Sequence, residues 1–245
     1  LLPERITRAF GFMPEAVKMM QTNWLAAAAL VMTPAQYDAW YDTPRGRWIG
    51  DTEYRLVRSL LDLQPGDTVL DVGCGTGWFT RRVAADGAQV IGLDRDAEAL
   101  AFAREHCLGN TSYVRGDATA LPFADASFDA VLSVTALCFV EQWPRALAEI
   151  VRVSRRRFVL GLLNRHSLLW LDKGRQGGSG AYRGAHWHTR AEIDHALRAL
   201  PVRDVQYRHG VFLPSGSWIA RALERPLPSR LPLGAFLAVA GEVAR

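Results

Sequence analysis

Six residues carry most of the chemistry that this sequence offers. Gly73, Gly75 and Gly77 stand at alternate positions in LDVGCGTGWF (70–79), with Asp71 beside them. Asp94 and Asp117 follow at the ends of the next two apolar stretches. Glycine is entropically costly to order, so this spacing needs a use: it permits positive φ and lets a ligand approach the backbone closely. A dinucleotide loop spaced G-x-G-x-x-G places its third glycine at position 78. That position is Trp78, which weakens a nicotinamide reading, and Asp117 weakens it further. A pyrophosphate would be repelled by Asp71, whereas a ligand with a cationic amino-acid end would be attracted. A carboxylate ending the second strand, as Asp94 does, is placed to take both hydroxyls of a ribose.

Something must hold those residues in one place, and the surrounding pattern supplies it. Strands are expected at Thr68–Val72, Gln89–Asp94, Thr111–Arg115, Phe128–Val134 and Arg157–Leu162, with helices at Gly77–Ala85, Ala97–His106 and Pro144–Val153 between them. Such alternation predicts a parallel sheet covered on both faces. Asp96 is the expected N-cap of the second of these helices. A further helix is expected over Asp51–Leu63, after an aromatic, turn-rich stretch at 37–50. Beyond the fifth strand come a glycine-rich stretch, a helix at Arg190–Leu200 capped by Thr189 with Glu192 near its start, and strands at Val202–Arg208 and Ala235–Gly241. Residues 1–31 read as a helical appendage.

Four segments in order, LDVGCGTGWF (70–79), VIGLDRDAEALAFAR (90–104), GDATALPFADASFDAVLS (116–133) and PRALAEIVRV (144–153), give the chain a clear likeness. It resembles the class I S-adenosylmethionine-dependent methyltransferases, of the group called methyltransferase type 11, over roughly residues 37–165. The resemblance implies an α/β, Rossmann-like three-layer sandwich. Its seven-stranded, mostly parallel sheet has the order 3-2-1-4-5-7-6 with the last strand antiparallel. It also implies S-adenosyl-L-methionine as cofactor and S-adenosyl-L-homocysteine as product. By position, Gly73, Gly75 and Gly77 would line the methionine part and Asp71 would hold its ammonium. Asp94 would take the ribose, Arg95 would border the adenine, and Asp117 with Ala118 would bind the adenine edge. Ser133 would face the cofactor near the methyl. An N-terminal aromatic would close over it, with Tyr37, Tyr41 and Trp48 as candidates. The chain departs from many relatives after the fourth strand, where a Leu-His-His type segment is replaced by ALCFVEQW (136–143).

The domain layout expected is a helical extension at 1–36 and a methyltransferase domain at 37–245, with substrate-covering inserts at 164–188 and 213–234. These inserts and the N-terminal aromatics are expected to form the acceptor pocket, with Trp170, Tyr182, Trp187 and Trp218 among its residues. Cys138, His166, His186 and His188 are further pocket candidates beside Tyr37 and Tyr41. Cys138 reads more readily as a small buried hydrophobe than as a nucleophile. His186 and His188 flank Trp187 in GAHWHT, but no third ligand accompanies the pair, so no metal site is expected.

Bulk properties narrow the function classes. The chain has 245 residues, 49% of them hydrophobic, enough to bury a sizeable core. Its three cysteines form no CxxC pair, which suits a reducing cytoplasm. No run reaches the roughly 18 apolar residues of a membrane span; WLAAAALVM (24–32) reads as a core helix rather than a signal peptide. Net charge is +4, almost all of it from arginine, with one triplet at Arg155–Arg157 and no basic run interleaved with aromatics. That argues against a nucleic-acid partner. The expected partner is a small-molecule methyl acceptor, and the expected state a monomer or homodimer. The alternatives are an RNA or protein methyltransferase and a non-catalytic S-adenosylmethionine-binding protein.

Overall fold

Valine- and leucine-rich runs of five to ten residues build the centre of the molecule. The computed structural model describes residues 32–224 and 227–244, without the side chain of residue 223. Expectations that fall on residues 1–31 lie outside the described residues. Seven strands, β1 (Thr68–Val72), β2 (Gln89–Asp94), β3 (Thr111–Arg115), β4 (Phe128–Val134), β5 (Ser154–Leu163), β6 (Val202–Gly210) and β7 (Phe236–Val243), form one sheet. Its order is β3-β2-β1-β4-β5-β7-β6. Pairing is parallel from β3 to β5, and β7 runs antiparallel to both of its neighbours. This is the expected sheet. Val69, Leu70, Val131, Leu132, Val159 and Leu160 are fully buried in it, because helices cover both faces of a parallel sheet.

The helices are α1 (Pro34–Trp40), α2 (Pro44–Leu61), α3 (Trp78–Ala85), α4 (Ala97–Glu105), α5 (Trp143–Val153), α6 (Arg190–Leu197) and α7 (Trp218–Glu224). Asp96 caps α4 through its side chain, accepting from the backbone of Glu98 and Ala99. Thr189 and Glu192 form a reciprocal capping box at the start of α6. Helix α5 buries Ala146, Leu147, Ile150 and Val151, one stripe at helical spacing.

Two boundaries differ from expectation. The stretch read as turns at 37–50 is mostly helix. Thr43 caps the backbone N–H of Gly46 at 3.0 Å, and Pro44 occupies the first turn, where its missing N–H has no cost. Helix α2 therefore starts seven residues before Asp51, and α1 crosses the expected domain edge between 36 and 37. Strand β5 begins at Ser154, so Arg155, Arg156 and Arg157 lie inside it. Each is paired, to Asp129, Asp67 and Glu242 respectively. The only arginine triplet is thus neutralised by the protein itself. Among the described residues no helix is long and apolar enough to cross a membrane.

Candidate cofactor and acceptor site

The carboxyl ends of β1, β2, β3 and β4 open into a cavity of about 590 Å³, a size suited to a small organic ligand. The loop after β1 forms its floor. Gly73 and Cys74 donate backbone N–H groups to the Leu93 carbonyl, at 2.7 and 3.1 Å, which ties this loop to the end of β2. Gly73 has φ +75°, and a Cβ there would sit 2.1 Å from the Cβ of Ala136. Only glycine fits between the β1 and β4 loops.

Asp71 reaches the cavity from the end of β1 but is 1% exposed. It accepts a hydrogen bond from the Thr80 hydroxyl at 2.7 Å. Burial pushes its carboxyl up to about 7; the Thr80 bond opposes the rise and the charge of Asp94 adds to it. Asp94 is held from two sides, accepting from Gly75 N at 2.8 Å and Asp96 N at 2.9 Å. Asp117 accepts from the Thr119 backbone and hydroxyl, both at 2.8 Å, and these bonds hold its carboxyl below the usual range. Arg95 and Ala118 complete this side of the wall.

The opposite side is aromatic and apolar. Tyr37 and Tyr41, from α1 and the turn after it, both line the cavity, their hydroxyls 3.4 Å apart. Tyr41 stacks on Trp78 at 4.1 Å, and the Arg82 guanidinium lies 4.1 Å over that indole. Burial holds the Tyr41 phenol well above its ordinary value, so it stays protonated. The segment after β4 supplies Thr135, Ala136, Phe139, Val140, Glu141 and Gln142. Trp48 packs against the core instead.

Several expected site residues stand elsewhere. Gly77 is not a wall residue. A Cβ there would meet the Tyr113 hydroxyl at 2.5 Å, with φ at +79°, so this glycine serves the start of α3. Ser133 is fully buried and donates to the Val72 carbonyl at 2.8 Å; its hydroxyl ties β4 to β1 and is not part of the cavity wall. Cys138 is 1% exposed, its sulfur accepts from Leu163 N at 3.3 Å, and burial pushes its thiol up to about 12. His186 N donates to the Cys138 carbonyl at 2.7 Å, and the His186 ring sits 4.5 Å from that of His188. His188 is fully buried against the edge of Trp143, and burial lowers its pKa to about 4. Neither histidine lines the cavity, and His166 lines a different one.

The two inserts also differ from expectation, for none of their described residues lines this cavity. The ends of the 164–188 insert are pinned together by Arg165 N to His188 O and His188 N to Leu163 O, at 3.0 and 2.8 Å. Trp187 is buried, and Trp170 and Tyr182 pack on the core. The second insert meets the start of α2, where Arg45 Nε donates to the Pro214 carbonyl at 2.8 Å. Among the wall residues that motif spacing missed are Thr76, Trp78, Phe139, Glu141 and Gln142. Adjacency to the glycine loop and to the β4 end was the available signal for all five.

The charge of the wall tests which ligand it fits. Four described wall residues are acids (Asp71, Asp94, Asp117 and Glu141), and Arg95 is the single cation. A pyrophosphate finds no matching charge there. A ligand carrying an ammonium, a sulfonium and a ribose does, and the buried Asp71 carboxyl gains a partner from it.

Known proteins give the same direction. Residues 70–159 match the family model described as a methyltransferase domain. The malonyl-[acyl-carrier protein] O-methyltransferase of Pectobacterium atrosepticum is 33% identical over 175 residues, 71% of this chain and 69% of that enzyme. The enzyme of the same name from Erwinia pyrifoliae is 45% identical over 100 residues, and there the match spans only 38% of the relative's length. A solved structure from Thermotoga maritima, described as an S-adenosylmethionine-dependent methyltransferase and possible histamine N-methyltransferase, has the same fold. It aligns with a TM-score of 0.71 at 24% identity, over 85% of this chain and 95% of that one.

Proposed function

The chain belongs to the class I S-adenosylmethionine-dependent methyltransferases, and on that premise we propose that it methylates a small, largely apolar or aromatic acceptor. The observation that carries this reading is the division of the cavity wall. Carboxylates line one side, while Tyr37, Tyr41, Phe139 and Val140 line the other. In this reading the polar side holds the cofactor and the aromatic side holds the acceptor.

The residue roles follow from charge and placement. Asp71 accepts from the amino-acid ammonium, and its buried carboxyl ionises when that cation arrives. Asp94, already oriented by Gly75 N and Asp96 N, accepts from the ribose hydroxyls. The second oxygen of Asp117 accepts from the adenine amino group, beside Arg95 and Ala118. Gly73 and Gly75 leave room for the methionine chain. When bound, the cofactor supplies an electrophilic methyl on a sulfonium, which needs no acid to activate it.

The protein's task is then to position the acceptor and exclude water. Tyr41 is held rigid by its stack on Trp78, and its protonated phenol can donate to an acceptor oxygen. Cys138 and His188 lie outside the cavity, so the proton of an ionisable acceptor leaves without them. The malonyl group, carried by an acyl-carrier protein, in the names of the Pectobacterium and Erwinia relatives supports an acyl group at this position. The three paired arginines of β5 leave no free triplet for RNA.

Product formation from a panel of phenols, carboxylic acids, thioesters and amines tests the proposal, with bulk RNA and protein as comparison acceptors. Turnover of at least one small acceptor, lost on Tyr41→Ala, is expected. Transfer only to RNA or protein would overturn the reading.

A further inference from the structure

A second cavity, of about 510 Å³, shares no wall residue with the first. It lies along β6, the last strand of the sheet. Arg190 at the start of α6, Arg208 and His209 of β6, Arg230 of the second insert, and Asn164 with His166 after β5 line it. No carboxylate occurs among its described wall residues. Acid compensation comes from Asp194, which lies outside the wall. It pairs with Arg190 at 3.4 Å and accepts from the Tyr207 hydroxyl. Among the described residues, Arg208 donates only to the Tyr207 carbonyl and Gln206 Oε1. Arg230 has no hydrogen bond or ion pair to a described residue. Three guanidiniums against one carboxylate leave two uncompensated positive charges.

The wall is also built in advance. The Asn164 amide donates to the carbonyls of Pro232 and Gly234, at 3.0 and 2.8 Å, fixing the insert against the end of β5. His209 N donates to the Ser229 carbonyl at 2.6 Å. The His209 side chain is 6% exposed, and its ring Nδ1 has no partner among the described residues. A buried polar nitrogen left unpaired in a native fold calls for an explanation, and a ligand in this cavity supplies one.

We propose that this cavity binds the phosphate of a phosphomonoester, as a site separate from the cofactor cavity. Arginine forks match phosphate oxygens bidentately, and two surplus charges match a dianion. One carboxylate or one phosphodiester brings a single charge and leaves a guanidinium unpaired. The proposal needs neither the cofactor nor methyl transfer, so it stands or falls apart from the acceptor reading.

The test uses the full chain with labelled histidine, His209 being identified by its loss in His209→Gln. Phenyl phosphate, dimethyl phosphate and benzoate are titrated at constant ionic strength while the His209 ring signals are followed. Calorimetry gives the affinities. Burial, with Arg190 adding to it, sets the free imidazole at about 4. His166, Arg208, Arg230 and Arg190 line the same cavity, and Asp194 pairs with Arg190 and Tyr207 beside it. A bound dianion should shift this midpoint upward. Phenyl phosphate should saturate the signal and bind at least about tenfold more tightly than the other two. Arg208→Gln and Arg230→Gln should each weaken it about tenfold or more, with S-adenosylmethionine affinity unchanged as proof of an intact fold. No saturable His209 shift by about 10 mM phenyl phosphate, a weak limit for a specific site, overturns the proposal. So does equal affinity for all three probes, or undiminished binding in the arginine variants.

Discussion

Two cavities of similar size sit on one sheet and carry opposite charge. The first gathers Asp71, Asp94, Asp117 and Glu141 against one arginine; the second gathers Arg190, Arg208 and Arg230 with no described carboxylate in its wall. Both draw residues from strand ends and the loops that follow, where side chains escape the packed core. In the first, consecutive parallel strands each deliver one acid to a shared edge. In the second, the antiparallel insertion of β7 carries β6 to the rim, where an arginine–histidine pair meets two loops. The difference teaches that the edge of such a sheet is a scaffold, and that local residue choice sets the sign of its ligands.

That opposition can be broken by mutation, and the largest effect is expected at the tightest glycine. Gly73→Ala adds a methyl group against Ala136 in a left-handed backbone and should cost about 3 kcal/mol of stability, read by urea unfolding. Unchanged stability would mean that the β1 and β4 loops do not meet as described. Next, Asp94→Ala frees Gly75 N and removes the proposed ribose acceptor. S-adenosylmethionine affinity should fall about 100-fold by calorimetry, with phenyl phosphate binding untouched. Loss of both together would show that the cavities are not independent.

Protonation sharpens the same contrast. The free Asp71 carboxyl ionises near 7 because it is buried, and a bound ammonium favours its charged form. S-adenosylmethionine affinity should therefore rise about tenfold per pH unit below 7 and level off above it. Proton release should be visible as a buffer-dependent calorimetric enthalpy. Asp71→Asn should flatten that slope; a slope that persists would move the titration to another group. The smallest effect is expected at Ser133. Its hydroxyl is spent on the Val72 carbonyl, so Ser133→Ala should cost about 1 kcal/mol of stability. Its cofactor affinity should stay unchanged, and a large loss there would return Ser133 to the cavity.

Much of the acidic cavity was legible from spacing. Asp71, Asp94 and Asp117 each end or follow an apolar strand, and parallel strands bring their carboxyl ends to one edge, so three acids far apart in sequence had to meet. Gly73 and Gly75 followed from the same loop. Ser133 did not, because one step along a strand reverses the face that a side chain takes, and Gly77 did not, because it makes way for the Tyr113 ring at the start of α3; motif position alone reports neither. The histidines misled for a related reason. His186 and His188 occupy a glycine-rich segment that reads as a mobile cover. In the fold, the bonds between Leu163, Arg165 and His188 close that segment onto the core. The aromatic stretch at 37–50 hid a helix because its Thr-Pro start also reads as a turn.

The sequence by itself determined the strand order of chemistry: which strands exist, which end in carboxylates, and that a cationic, ribose-bearing cofactor suits them. Periodicity and local charge are properties of the chain, and they survive without coordinates. Folding in three dimensions is what set which candidate side chains face a cavity, that the wall opposite the carboxylates comes from Tyr37, Tyr41 and the segment after β4, and that Arg190, Arg208 and Arg230 line one cavity. Those three stand in a helix, a strand and a loop, and no spacing rule relates them. Their meeting depends on how β6 and β7 close the sheet, which is set by packing across the whole core.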